Sequence, residues 1–149
     1  MKQKISLKGR ALNYLAKREM SRLELSQKLA PHAESQEQLE ALLDELADRN
    51  WQSDERYVEN FVLARQQKYG SLRLAEELKQ KGVDTTLFQE TKPSTAEEAQ
   101  TALMVLQKKY GHLPLSLDEK NKQMRFLAYR GFGFDVIQRA FELWKEEQS

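Results

Sequence analysis

The chain contains no cysteine, which excludes disulfides and thiolate chemistry and makes the reducing cytoplasm the expected location. It has two histidines, His32 and His112. Each sits near a proline, outside any His-Glu-x-x-His or Cys-x-x-Cys spacing, so no metal and no cofactor is expected. Glycine is sparse, at six residues, and no glycine-rich phosphate loop can be assembled from it. Gly131-Phe132-Gly133 has part of a dinucleotide-loop spacing, but no strand precedes it. No run approaches the ~18 apolar residues of a membrane helix, and mean hydropathy is -0.77, so no membrane association is expected. Met1–Leu7 is basic but has no apolar core and no cleavage site, so it does not read as a signal peptide.

Net charge is also nearly absent, at +1 over 149 residues, yet the charges are not evenly spread. Residues 1–22 hold seven Lys or Arg, Lys2 among them, against Glu19 alone, and residues 23–56 hold nine acids against three bases. Further basic stretches follow at Arg65–Lys81 and Lys120–Arg130. Such blocks predict separate positive and negative faces.

Helix signals fill the rest. Leu7, Ala11, Leu12, Leu15 and Ala16 recur near a 3.6 period. Ser21 with Glu24 forms a capping-box pattern, and Leu23, Leu25 and Leu29 fill a helix that Pro31 ends. Ser35 with Gln38 repeats the device before Leu39, Leu42, Leu43 and Leu46. Ser53 or Asp54 opens a helix stopped by Gly70. Ser71 caps the next, with Leu72, Leu74, Ala75 and Leu78, stopped by Gly82; both glycines suit the left-handed backbone of a helix end. Asp84 opens a short helix through Phe88, and Ser94 or Thr95, with Glu97 or Glu98, opens one ending at Gly111. Ser116 with Glu119 starts a helix ending at Gly131, and Asp135 with Gln138 opens the last. No run alternates as a strand does. The expectation is all-α, with nine helices.

Internal echoes organise these helices. Tyr14-Leu15-Ala16-Lys17-Arg18 matches Phe126-Leu127-Ala128-Tyr129-Arg130, with Phe61-Val62-Leu63-Ala64-Arg65 a looser version. Gln67-Lys68-Tyr69-Gly70 matches Lys108-Lys109-Tyr110-Gly111. Nine short helices with recurring helix–cap–helix phrases predict an elongated tandem array of three three-helix, helix-turn-helix-like repeats, at 1–52, 53–92 and 93–149. Units this small bury little core alone.

No catalytic constellation emerges, and the chain does not read as an enzyme. Neighbouring acids at Glu76–Glu77, Glu97–Glu98 and Asp118–Glu119 point about 100° apart on a helix and read as first-turn acids. Tyr14, Phe61 and Phe126 read as core rather than base-stacking platforms, and Trp51 and Trp144 as packing anchors. The basic helices with Gly70-Ser71 or Gly131-Phe132-Gly133 as turns also permit a second reading, a helix-turn-helix protein that binds DNA directly.

Three phrases resemble the RecX family. Asp54–Arg65 resembles its Asp, aromatic, aromatic, Arg helix. Gly70-Ser71-Leu72-Arg73-Leu74 and Leu78-Lys79-Gln80-Lys81-Gly82-Val83 resemble its Gly-x-x-Arg-Ile and Leu-x-x-Lys-Gly-Ile segments, with Leu74 and Val83 each replacing Ile. Phe126–Phe132 resembles its Arg-Gly-Phe signature. Ala11–Arg18 with Ser21 and Glu24-Leu25 matches the first unit, so the resemblance runs over residues 5–146. It implies a cytoplasmic bacterial regulator that binds RecA nucleoprotein filaments, inhibits their ATPase, recombinase and coprotease activities and favours disassembly, within recombination, DNA repair and the SOS response. It brings no catalytic residues. An elongated array can follow a helical groove, and alternating patches can meet both DNA phosphate and protein protomers. The partners expected are the filament and, through the basic patches, single- or double-stranded DNA, with the chain a monomer. The candidate contact residues are Lys17, Arg18, Arg22, Arg65, Arg73, Lys79, Lys81, Lys122, Arg125 and Arg130.

Overall fold

A computed structural model describes residues 4–149; Met1–Gln3, and with them Lys2 of the basic N-terminal stretch, lie outside the described residues. Among the described residues there are nine α-helices and no strand. They are α1 (Leu7–Lys17), α2 (Arg22–Leu29), α3 (Gln36–Asp48), α4 (Asp54–Arg65), α5 (Ser71–Gln80), α6 (Thr85–Thr91), α7 (Thr95–Lys109), α8 (Leu117–Tyr129) and α9 (Phe134–Glu147). Pro31 does not simply end α2. It sits in a separate 3-10 turn, Ala30–His32, where its fixed φ suits a first-turn position. No helix among the described residues is long and apolar enough to cross a membrane.

The serine caps divide into two geometries. Ser21 and Ser94, with φ of -70° and -65°, close reciprocal boxes with Glu24 and Glu97. Ser35 and Ser116 have φ of -157° and -143°. There the serine still accepts from the third residue's N–H, but that residue's side chain accepts one position earlier, from the Glu34 or Leu115 N–H. The more extended backbone turns the cap's own N–H away. Ser53 caps α4 by accepting the Arg56 N–H. Two expected caps are different. The last helix begins at Phe134 behind Gly133, with no side-chain cap, so Asp135 is a first-turn acid. Ser71 is itself helical, and its partner comes from elsewhere in the chain.

Three helix ends share one chemistry. Asn50, Gly82 and Gly131 adopt φ of 60°, 74° and 93°. In each, the left-handed residue and its successor donate back to the last turn, as Gly131 does to Ala128 and Phe132 to Leu127. Gly70 has no such φ, so its requirement for glycine has another origin.

The chain divides into two compact units, Met1–Asn60 with Leu78–Leu87, and Phe61–Glu77 with Phe88–Ser149. The first is centred on Ala11, Met20, Leu25, Leu29, Leu39, Leu42, Leu43 and Leu46, flanked by Leu7, Tyr14 and Leu15. Full burial of each leucine contributes about 1.5–3 kcal/mol. Leu12 and Ala16 of the expected α1 stripe face solvent. Trp51 is not the anchor expected: it is 41% exposed, with Lys8 and Arg49 over its ring. The second unit is built on α7 against α9, with Leu103, Leu106, Leu127, Phe132, Ile137, Phe141 and Trp144 inside. Trp144 does anchor that core.

In the first unit Glu24 joins three segments. It closes the Ser21 box, accepts from Arg18 Nη2 at 3.2 Å and lies 3.6 Å from Lys81 Nζ, while Ser21 Oγ donates to the Lys81 carbonyl at 2.8 Å. Burial opposes the Glu24 charge, but the Arg18 and Ser21 hydrogen bonds and the Arg18 and Lys81 charges together outweigh it, holding the carboxyl below its ordinary 4.5. A depressed carboxylate stabilises the fold above its unfolded pKa, and the contribution is lost as pH falls through the folded value. Glu24→Gln should therefore lower the melting temperature by a few degrees at pH 7. The gap to the parent protein should narrow as pH drops below about 4.5, read by thermal denaturation across pH.

Candidate nucleic-acid interface

The second unit contains a junction made of backbone. The Gly70 N–H donates to the Arg130 carbonyl at 2.8 Å, and the Leu72 N–H donates to the Gly131 carbonyl at 3.1 Å. The start of α5 is thereby bonded to the end of α8. A Cβ on Gly70 would collide with the Gly131 carbonyl, and one on Gly131 would collide with the backbone and Cβ of Arg73. Glycine at position 70 thus serves a close approach rather than a helix stop. The first turn of α5 is completed by Glu98 of α7, which is buried and accepts from both the Ser71 N–H and the Ser71 hydroxyl at 2.6 Å. A carboxylate there satisfies an orphan donor and the helix dipole together. Glu98 is accordingly a positioning residue, not part of the Ser94 cap.

This junction assembles cations around rings. Arg73 and Arg130 both lie over Tyr69, with guanidinium carbons 4.2 and 5.5 Å from its centroid. Arg130 also lies 5.2 Å from Phe126 and donates to the Lys68 carbonyl at 3.3 Å. Arg65 covers Phe61 at 4.0 Å. One carboxylate, Glu77, serves two of these cations, at 3.2 Å from Arg73 and 3.9 Å from Arg65. Arg73 further lies 6.0 Å from Tyr129. Lys122 and Arg125 stand exposed on α8, at helical spacings of seven and four from Tyr129.

The first-unit candidates have different surroundings. Arg18 and Lys81 share Glu24. Arg22 is bound to Glu40 at 3.1 Å and Asp44 at 2.8 Å of α3. Partial burial disfavours its charge, but those two acceptors more than compensate and raise its pKa. Lys17 and Lys79 are exposed in the last turns of α1 and α5. The second unit therefore brings together Arg65, Arg73 and Arg130, with Lys122 and Arg125 on the adjoining helix; Arg18 and Lys81 share one carboxylate, as Arg65 and Arg73 do, and Arg22 is paired with two.

Sequence reasoning missed Tyr69 and Tyr129. Tyr69 lies inside the repeated Lys-Tyr-Gly phrase, and Tyr129 is two positions past the buried Leu127, on the opposite side of α8. A helical wheel marks Tyr129 as an exposed aromatic, and this is the signal that could have found it. Among the described residues no group of three or more potential ligands could hold a metal ion.

Among the described residues the chain is all-helical, with guanidinium groups stacked on aromatic rings at its surface. Residues 53–91 match the family domain described as RecX, second three-helix domain, and residues 96–141 match RecX, third three-helix domain. The regulatory protein RecX of Neisseria gonorrhoeae is 48% identical over 147 residues, covering 98% of this chain and 96% of that protein. That of Chromobacterium violaceum is 46% identical over 134 residues, covering 90% and 88%. The crystal structure of RecX from Lactobacillus salivarius superposes with a TM-score of 0.83 at 20% identity, covering 94% and 95%, a likeness of fold. The chain belongs to the RecX family.

Gly70→Ala should cost several kcal/mol, because it places a methyl group where the Gly131 carbonyl lies. Gly111→Ala, with open space around it, should stay within about 0.5 kcal/mol of the parent. Urea unfolding of the two variants checks the contrast.

Proposed function

We propose that the chain binds RecA–DNA filaments in the cytoplasm, as a monomer, and inhibits their ATPase, recombinase and coprotease activities. Membership of the RecX family supports this reading, and the observation that carries it to residues is the Arg65–Arg73–Arg130 cluster around Tyr69. In this reading three tandem repeats, 1–52, 53–92 and 93–149, present Lys17, Arg18, Arg22, Arg65, Arg73, Lys79, Lys81, Lys122, Arg125 and Arg130 to filament DNA and protein. The family matches at 53–91 and 96–141 fall inside the second and third of these spans. Phosphate contacts supply the affinity and its salt dependence, and the stacked guanidinium groups supply donors already fixed in direction.

Titrating the protein into RecA's single-strand-dependent ATPase tests the proposal. Inhibition near one copy per RecA protomer is expected for groove occupancy, and inhibition far below it for end-capping. No inhibition removes the functional claim. Reversing Arg65, Arg73 and Lys81 to Glu should weaken filament binding and flatten its salt dependence, each lost duplex phosphate contact lowering the log–log slope by about 0.9. Salt-dependent, sequence-selective duplex binding without RecA would instead favour a direct helix-turn-helix DNA binder.

A further inference from the structure

Tyr129 is a large apolar ring that contributes little to the core, being 81% exposed in the last turn of α8. Its neighbour three residues earlier, Phe126, is spent on the fold: it packs edge-on against Tyr110 at 5.7 Å and lies under Arg130. Tyr129 has Arg73 6.0 Å from its centroid. Lys122 and Arg125 follow the same flank of α8, and among the described residues no carboxylate pairs with either. From Lys122 to Tyr129 the helix rises about 10 Å, the scale of a few nucleotides.

We infer that Tyr129 is a stacking platform for one unpaired base of a single-stranded nucleic acid, with Lys122 and Arg125 holding the flanking phosphates. The inference rests on the reading that this patch meets nucleic acid, and it adds which form the patch selects. A base inside a duplex already has both faces covered by its neighbours and cannot stack on a side chain without first being unpaired. A single-stranded base is free to do so, in any sequence, because every base has a π face. A phosphate-only patch of Lys and Arg carries no such discrimination, since both forms offer it phosphates. The ring therefore separates the two forms, and the cations set the common affinity. Arg73, ion-paired with Glu77 and stacked on Tyr69, fixes the surroundings of the ring before any ligand arrives.

The test uses the full chain without RecA and a fluorescently labelled oligo(dT), beside a duplex hairpin of equal length, read by anisotropy across salt concentrations. The parent protein should prefer the single strand. Tyr129→Ala should reduce single-strand affinity by about 5- to 100-fold, the loss of one stack, and duplex affinity by less than about 2-fold, with the salt slope unchanged. Tyr129→Phe, which keeps the ring, should retain the parent's affinity. Arg125→Ala should weaken both ligands alike and make the salt dependence shallower. An equal loss on both ligands for Tyr129→Ala, no loss on either, or a parent protein that binds neither oligonucleotide would overturn the inference. The filament reading is judged separately by RecA ATPase inhibition, which each of those three outcomes leaves open.

Discussion

The start of α5 is joined to the end of α8 through backbone hydrogen bonds. Gly70 and Leu72 donate to the Arg130 and Gly131 carbonyls, and the arrangement exists because neither glycine carries a Cβ. A side chain at either place would hold the helix ends apart, and several consequences would go with it. Arg73 would leave the neighbourhood of Gly131, Arg130 would lose its place over Tyr69, and Tyr129 would lose Arg73. The surface chemistry of the second unit is thus set by two absent methyl groups. The left-handed turn at Gly131 contributes as well, because it sends Phe132 into the core while leaving the Gly131 carbonyl free to accept from Leu72.

The two units differ in how far rings supplement carboxylates around the candidate cations. In the first, guanidinium and ammonium groups sit beside carboxylates: Arg18 and Lys81 with Glu24, and Arg22 with Glu40 and Asp44. Exposed pairs such as those of Arg22 contribute little stability each, about 0–1 kcal/mol, and mainly orient the side chains. In the second, Arg65 and Arg73 share Glu77, and these two and Arg130 are also steadied by aromatic rings, which hold a guanidinium without cancelling its charge. A cation stacked on a ring remains available to phosphate, and one sandwiched by two carboxylates is much less so.

The sequence made the helices easy to read because their signals are local. Serine caps, apolar periods and left-handed stops act within four or five residues, so Ser21–Glu24, Gly82 and Gly131 could be recognised from spacing alone, and spacing narrows the cap near residue 94 to Ser94 or Thr95 with Glu97 or Glu98. Ser71 and Gly70 misled for the opposite reason. Their partners, Glu98 and Gly131, are 27 and 61 positions away, and nothing near residue 70 distinguishes a helix stop from a close approach. The same applies to the cations. Charge blocks marked Arg22 as readily as Arg73, yet only tertiary packing set one between two acids of α3 and laid the other over a ring. The RecX resemblance of the Gly-x-x-Arg and Arg-Gly-Phe phrases is physically intelligible in this light, since those two phrases are the two sides of one backbone junction.

Native-state hydrogen exchange at two amides tests that junction most directly. If the Gly70 and Leu72 N–H groups are bonded to the end of α8, both should exchange as slowly as the buried amides of α7 and α9, and opening should require unfolding of the second unit. Exchange at the rate of the exposed turn around Gly111 would mean that the helix ends are not joined, and the account of the Arg–Tyr surface built on them would fail.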